Sequence, residues 1–396
     1  MPKKNLTLLV VCQLISATGS ISMVTLGGII GSSLTANKAW ATLPLSLMVV
    51  AIAATAIPAT MLMRRIGRSR GFALASLSAI VATLIGCAAL FAASFWLFVL
   101  AAVLFGVNQA FTQQYRYAAA ESVPARYIPR AISLVLVGSI GGAFLGPEVV
   151  TRAQNLVPAV PHAGTMIVLA GLFVVQALLF LRLKDIVHDG DDRAEVSDRP
   201  LKEIVWQPVY VVAVLGGAAG WGLMTLVMTA TPLSMHINDG FSLESTAGVI
   251  RAHVLGMYVP SLLAGFLIER FGVSRLMFTG ALLLLGTSIV GLQGHTFMHY
   301  WWALVLLGVG WNFMYVGGTT MLTYTYSMAE RFRAQAVNEF VVFGASATAS
   351  LLAGTVMHFL GWFWLMWIPI PFLLVIALAI LFVRRDPLLR RAPSAA

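Results

Sequence analysis

Twelve long apolar stretches are the feature that most constrains how this chain can fold. A helix needs about 20 apolar residues to cross the ~30 Å hydrocarbon core of a bilayer, because no backbone amide can be left unpaired there. By this measure we predict membrane-spanning helices over residues 7–33, 39–63, 71–93, 96–118, 131–152, 163–184, 207–236, 244–268, 276–294, 299–326, 335–358 and 362–383. The chain is therefore expected to be an all-α membrane protein.

The composition excludes the soluble classes of protein. Only 10% of the residues are charged and 59% are hydrophobic, whereas soluble domains average about 25% charged residues. A soluble enzyme, a nucleic-acid-binding protein and a disordered scaffold are all incompatible with these values. No phosphate-binding loop or H-E-x-x-H zinc motif occurs in the sequence, and we predict that the protein is not an enzyme.

The basic residues fix the expected orientation, because cytoplasmic loops of membrane proteins are enriched in Lys and Arg. With the N-terminus in the cytoplasm, all but four of the 25 basic residues fall on the cytoplasmic side. The exceptions are Lys38, Arg152, Arg116 and Arg251. We therefore predict that both termini are cytoplasmic. The net charge of +10 then follows from topology and calls for no nucleic-acid partner.

A single long polar run divides the chain between the sixth and seventh predicted spans. The predicted organisation is an N-terminal six-helix bundle over residues 1–184, a cytoplasmic linker over 185–206 and a C-terminal six-helix bundle over 207–396. Each bundle on its own is long enough to carry six membrane crossings.

Short internal repeats support this division into two halves. The motif Arg65-Ile66-Gly67 after the second span matches Arg270-Phe271-Gly272 after the eighth. Likewise, Gly106-Val107 in the fourth span matches Gly308-Val309 in the tenth. A parallel repeat of this kind predicts two bundles related by an axis along the membrane normal.

The loop after the eighth span carries the pattern G-x-x-x-D/E-R-x-G-x-x-R, from Gly265 through Glu269 to Arg275. With this motif and the twelve spans, the chain resembles the major facilitator superfamily over essentially its whole length. The resemblance implies two six-helix bundles that transport a substrate by alternating access. The first-half copy of the motif departs from the pattern, since Thr60 replaces its Gly and Arg64 its acid. We therefore expect Glu269 to contribute more to an inner gate than Arg64.

Two pairs of side chains suggest a metal site in the second half. Met224 and Met228 lie four residues apart in the seventh span, and His253 and Met257 do so in the eighth, so each pair shares one helix face. Counting ~1.5 Å per residue from the loop between these spans gives the two pairs matching depths. Three thioethers and an imidazole favour Cu(I), although methionines in membrane helices also serve as packing. The spacing predicts that these four residues bind Cu(I).

The sequences around these pairs are similar to those of the CcoA-type copper importers of the superfamily, as is the segment from Gln114 to Glu121. The resemblance implies copper import through the bacterial inner membrane for assembly of cbb3-type cytochrome oxidase. Copper would then be the transported substrate and not a cofactor, and a periplasmic or cytoplasmic copper chaperone is a candidate partner. Members of the same group are implicated in riboflavin uptake.

Three other functions stay open at this point. Aromatic side chains could stack an organic solute such as riboflavin, namely Trp221, Trp311, Phe313, Tyr115 and Tyr117. The motif Gly142-x-x-x-Gly146-Pro147 resembles part of the antiporter motif of efflux transporters, but lacks the Gly pair that follows it there. A membrane sensor or assembly factor that transports nothing is the third.

Overall fold

All regular secondary structure in the described residues is helical. The computed structural model describes residues 3–36, 40, 43–153, 156–183 and 199–390. Within them, twelve helices are long and apolar enough to cross a membrane, which confirms the predicted fold class. These helices are α1 (Lys4–Gly31), α2 (Leu43–Ile66), α3 (Arg68–Phe91), α4 (Phe95–Glu121), α5 (Ala125–Ala153), α6 (Ala163–Phe180), α7 (Pro208–His236), α8 (Gly248–Phe271), α9 (Val273–Leu292), α10 (Phe297–Thr323), α11 (Arg331–Phe359) and α12 (Gly361–Val383).

The repeated loop motif ends two of these helices in the same way. α2 continues through Arg64 and Arg65, which follow its apolar part, and ends just before Gly67, whose φ is +85°. α8 ends at Gly272, whose φ is +88°. Only glycine adopts this backbone conformation without steric cost, so the glycine of each motif copy marks the turn into the next span.

Proline breaks the regular hydrogen bonding of two spans in the second half. α8 consists of two helical segments that meet at Pro260, because proline has no N–H to donate to the preceding turn. Near the C-terminal end of α7, Pro232 is followed by a π-helical turn over Leu233–Asn238. Turns of this type are frequent at functional sites in membrane and soluble helices.

The described chain forms two compact units. The first contains residues 1–122 and 135–188, and the second contains residues 123–134 and 189–396. The second unit thus includes the first turns of α5. Of the predicted linker, residues 185–198 lie outside the described residues, and the remainder includes a short helix over Leu201–Val205.

Close helix packing in each unit explains the repeated Gly-Val pair. In the first unit, Gly106 of α4 lies directly against the backbone of α2 at Met48. In the second, Gly308 of α10 lies against the backbone of α8 at His253, where an added Cβ would stand 2.5 Å from the His253 carbonyl oxygen. Any side chain at either glycine would force its two helices apart.

Candidate functional site

Five aromatic rings from four spans form a cluster inside the second unit, which we call the aromatic cluster. Its members are Trp221 of α7, Tyr258 of α8, Trp311 and Tyr315 of α10, and Phe343 of α11. Trp221 contacts Trp311 edge to face at a centroid distance of 5.2 Å and lies 4.9 Å from Phe343. Trp311 also meets the Tyr258 ring at 6.0 Å. Edge-to-face and offset arrangements of this kind are the favourable ones for aromatic side chains.

Local helix geometry places these rings together. Trp311 and Tyr315 are four residues apart on α10, and their rings stack at 4.9 Å with an interplanar angle of 23°. Gly220 precedes Trp221 on α7, and a Cβ at Gly220 would already touch the Met314 Cβ at 3.3 Å. The missing side chain therefore lets α7 approach α10 closely enough for Trp221 to reach the cluster.

The cluster holds two unused hydrogen-bond donors. The Nε1 atoms of Trp221 and Trp311 are buried, and neither has a hydrogen-bond partner among the described residues. Trp311 is 1% exposed, whereas Trp221 is half-buried. Leaving a buried donor unpaired costs roughly 1–3 kcal/mol, so a hydrogen-bond acceptor placed beside these two N–H groups would be stabilised.

Polar side chains border the aromatic cluster along α11. Glu339 lies one helical turn before Phe343 and is 1% exposed. The amide of Asn338 donates a hydrogen bond of 2.8 Å to Glu339 Oε1. In the other direction, the hydroxyls of Thr225 and Ser346 are 2.7 Å apart and join α7 to α11. Polar side chains therefore lie within one helical turn of Phe343 in both directions along α11.

The structure buries most of the predicted copper ligands. His253 is fully buried and donates from Nδ1 to the Leu304 carbonyl at 2.9 Å, while no described residue pairs with its Nε2. Met224 and Met257 are each 6% exposed, and Met228 is half-buried. With Nδ1 engaged, Nε2 keeps the free lone pair that a metal ion or a donor group would use.

The two predicted pairs lie on spans that pack more closely on other helices than on each other. α7 packs chiefly against α11 and α10, and α8 packs chiefly against α10. No hydrogen bond among the described residues joins Met224 or Met228 to His253. The described residues also contain no group of three or more His, Cys, Asp or Glu side chains able to hold a metal ion. The four-ligand Cu(I) site stays a prediction.

Of the aromatic residues singled out in the sequence, two belong to the cluster. These two are Trp221 and Trp311. Tyr115 instead packs on Phe72 and Phe180 in the first unit. The others lie elsewhere too, with Phe313 against Gly280 of α9 and Tyr117 under the guanidinium of Arg116. The sequence reading missed Tyr258, Tyr315 and Phe343. The spacing of four between Trp311 and Tyr315 is the one signal that could have found any of them.

The predicted gate residue Glu269 forms an ion pair with Arg130. Arg130 Nη2 is 2.6 Å from Glu269 Oε2, and the backbone of Arg130 lies tight against Gly265, the first residue of the loop motif. Burial, together with the nearby Glu269 carboxylate, raises the pKa of the Tyr324 hydroxyl to about 12. Residues 123–134 are thus held against the motif by a charge pair as well as by close backbone packing.

Twelve helices long and apolar enough to cross a membrane define a multi-pass membrane protein. The family model described as Major Facilitator Superfamily matches residues 8–252 and 240–396, and the chain belongs to this superfamily. It is therefore a transporter and not an enzyme.

Curated relatives and solved structures agree with this assignment. The chain is 35% identical to the riboflavin transporter RfnT of Brucella anthropi over 97% of its own length and 96% of that protein. It is 26% identical to the uncharacterized MFS-type transporter YddS of Bacillus subtilis, covering 90% and 85% of the two chains. The crystal structure of the human organic anion transporter MFSD10 matches it with a TM-score of 0.77 and 12% identity, over 96% and 100% of the two chains. At that identity the structural match concerns the fold alone.

Proposed function

We propose that this protein transports riboflavin or a closely related flavin across the membrane. The observation that carries the proposal is the 35% identity to RfnT over nearly the full length of both chains. The second of the interpretations of the sequence, an organic solute that stacks on aromatic rings, thus becomes the leading one. Copper import takes second place.

The aromatic cluster supports a flavin ligand on physical grounds. The isoalloxazine ring of a flavin is planar, and its edge carries carbonyl oxygens and ring nitrogens that accept hydrogen bonds. Aromatic contacts contribute about 0.5–1.5 kcal/mol each beyond buried area, and the indole N–H groups of Trp221 and Trp311 lack partners. The flavin edge would supply the missing acceptors.

The polar border of the cluster suits the rest of the molecule. Riboflavin carries a ribityl chain with several hydroxyl groups, each of which needs a hydrogen-bond partner once it leaves water. The carboxyl group of Glu339 and the hydroxyls of Thr225 and Ser346 lie within a helical turn of the rings. We infer that the side chains of Glu339, Thr225 and Ser346 form hydrogen bonds with the ribityl hydroxyls.

One observation keeps copper as a second candidate. His253 Nε2 is buried without a described partner, and Met257 follows one turn later on the same face of α8. A Cu(I) ion would satisfy that nitrogen. Against it, α7 packs chiefly on α11 and α10, and its direct packing against α8 is slight.

Growth of a riboflavin-requiring bacterium that lacks its own riboflavin uptake tests the proposal. Expression of this chain should restore growth on low riboflavin and raise uptake of labelled riboflavin, while cellular copper stays constant. Trp311→Ala should abolish the rescue. Trp302→Ala on the same helix is the matched control, because Trp302 is 51% exposed and lies outside the cluster. Protein present in the membrane without riboflavin uptake would overturn the proposal, and copper accumulation in its place would favour the second candidate.

A further inference from the structure

A cavity whose lining shares no residue with the aromatic cluster lies at one end of α9 and α12. It has a volume of about 840 Å³ and is lined by the beginning of α9, the end of α12 and the short helix Pro387–Arg390. Three arginines line it, namely Arg275, Arg384 and Arg385. The transport function proposed above makes no use of this cavity.

The charge of the cavity is strongly positive. All three arginines are exposed, and no carboxylate among the described residues lies within ion-pair distance of their guanidinium groups. The neighbouring Asp386 instead accepts a hydrogen bond of 2.9 Å from the Leu388 backbone N–H. Three unpaired guanidinium groups around one cavity call for an anion, since arginine binds phosphate through two parallel hydrogen bonds.

The backbone adds to this charge. α9 is 20 residues long, begins at Val273 directly after Gly272, and has no acidic residue in its first turn. The first N–H groups of a helix have no partner within it, and they carry a partial positive charge that favours anions. Ser274, in that first turn, also lines the cavity and offers a hydroxyl donor.

The other wall of the cavity is apolar and leads to the lipid-facing surface. Phe278 and Leu381 line it beside the arginines. Leu381 adjoins Phe382, which is 81% exposed, and Leu378 on the same span is 66% exposed. Because α9 begins and α12 ends at this level, the arginines lie at the depth of lipid headgroups and the apolar wall at the depth of acyl chains.

We propose that this cavity binds an anionic phospholipid, with the phosphate group held by Arg275, Arg384, Arg385 and the first turn of α9, and one acyl chain along Phe278 and Leu381. The predicted orientation puts the cavity at the cytoplasmic leaflet, where anionic lipids attract basic residues. A soluble phosphate compound shares the headgroup chemistry but would make no use of the apolar wall.

Native mass spectrometry of the purified full-length protein tests the site. The protein is titrated with phosphatidylglycerol and, separately, with phosphatidylcholine. Phosphatidylglycerol should remain bound in preference, and the triple variant R275Q/R384Q/R385Q should bind it about tenfold or more weakly, since each basic residue near a membrane surface contributes appreciably. The triple variant R64Q/R65Q/R70Q is the matched control. It removes the same charge from exposed arginines around the corresponding loop of the first unit.

A conservative variant and a soluble competitor sharpen the outcome. R275K/R384K/R385K keeps the charge and the fold, and should weaken phosphatidylglycerol binding less than the glutamine variant does. Millimolar glycerol phosphate or inorganic phosphate should not displace the lipid. Equal lipid binding by the glutamine variant and the control, or displacement by either soluble phosphate, would overturn the proposal.

Discussion

Arg68 and Glu121 form a buried ion pair with two parallel hydrogen bonds in the first unit. Arg68 Nε lies 2.7 Å from Glu121 Oε2, and Nη2 lies 2.5 Å from Oε1. Gln114 accepts from the same guanidinium at 3.4 Å and donates at 3.4 Å to Thr60, the residue that replaces the glycine of the first motif copy. The departure from the motif is therefore part of a polar network that links α2, α3 and α4.

Glu121→Gln is expected to destabilise the protein strongly. Both side chains are less than a tenth exposed, and removal of one partner leaves a buried charge, which costs about 3–5 kcal/mol. The midpoint of thermal unfolding in detergent should fall, and the yield of folded protein with it. Glu148→Gln is the control, because Glu148 and Arg152 are 54% and 84% exposed and their pair contributes little. Equal melting temperatures for the two variants would contradict this prediction.

Glu269→Gln is expected to reduce transport while the protein still reaches the membrane. Its partner Arg130 is 45% exposed, so the ion pair adds at most about 1 kcal/mol to stability. The loss should thus appear in the uptake rate and not in the amount of protein. Arg64→Gln, at the corresponding position of the first motif copy, should be tolerated better. Equal uptake by both variants would remove the asymmetry predicted from the sequence.

Gly308→Ala is expected to separate α8 from α10. The new Cβ would stand 2.5 Å from the His253 carbonyl oxygen and 2.8 Å from the Met257 nitrogen. Both are backbone atoms, so they can move away only if the whole of α8 shifts. Overpacking of this kind costs typically about 1–3 kcal/mol. Gly354→Ala in α11 is the control, since nothing lies within 4 Å of its added Cβ and alanine favours a helix by up to about 1 kcal/mol. Thermal unfolding of the two variants should move in opposite directions.

The copper prediction is tested by removing sulfur while keeping volume. Leucine replaces methionine in a core at a cost usually below about 1.5 kcal/mol, so the triple variant M224L/M228L/M257L should fold. If these residues bind Cu(I), cellular copper accumulation should fall in this variant and in His253→Gln. Unchanged copper content, with riboflavin uptake intact, would end the copper prediction.

The fold could be predicted from the sequence because the bilayer imposes one rule on every span. Each predicted span coincides with an observed helix to within six residues at either end. One end that differs lies at Gly67, whose positive φ cannot be read from composition. The pairing of Glu121 with Arg68 was equally hidden, because 53 residues separate them in the chain.

The site was harder to predict for a related reason. Spacing along one helix identifies residues that share a face, as with Trp311 and Tyr315, but says nothing about which helix that face meets. Met228 and His253 were expected at one depth, and Met224 and Met257 at another, because α7 and α8 are consecutive. In the structure α7 packs mainly on α11 and α10, and α8 packs mainly on α10. The rings of Tyr258 and Phe343 join the cluster through that same interhelical packing.

Trp311→Phe separates stacking from hydrogen bonding in the aromatic cluster. Phenylalanine keeps an aromatic ring beside Tyr315 and Trp221 but removes the indole N–H, which has no partner among the described residues. If that N–H donates to a flavin carbonyl, the variant should lose about 0.5–1.5 kcal/mol of binding energy, a reduction in affinity of up to about tenfold. Riboflavin fluorescence titrated with the purified protein measures that loss, and the KM for uptake should rise in proportion. Trp302→Phe, on the exposed side of the same helix, should leave both values unchanged. Unaltered affinity in Trp311→Phe, together with lost affinity in Trp311→Ala, would assign the residue to stacking alone.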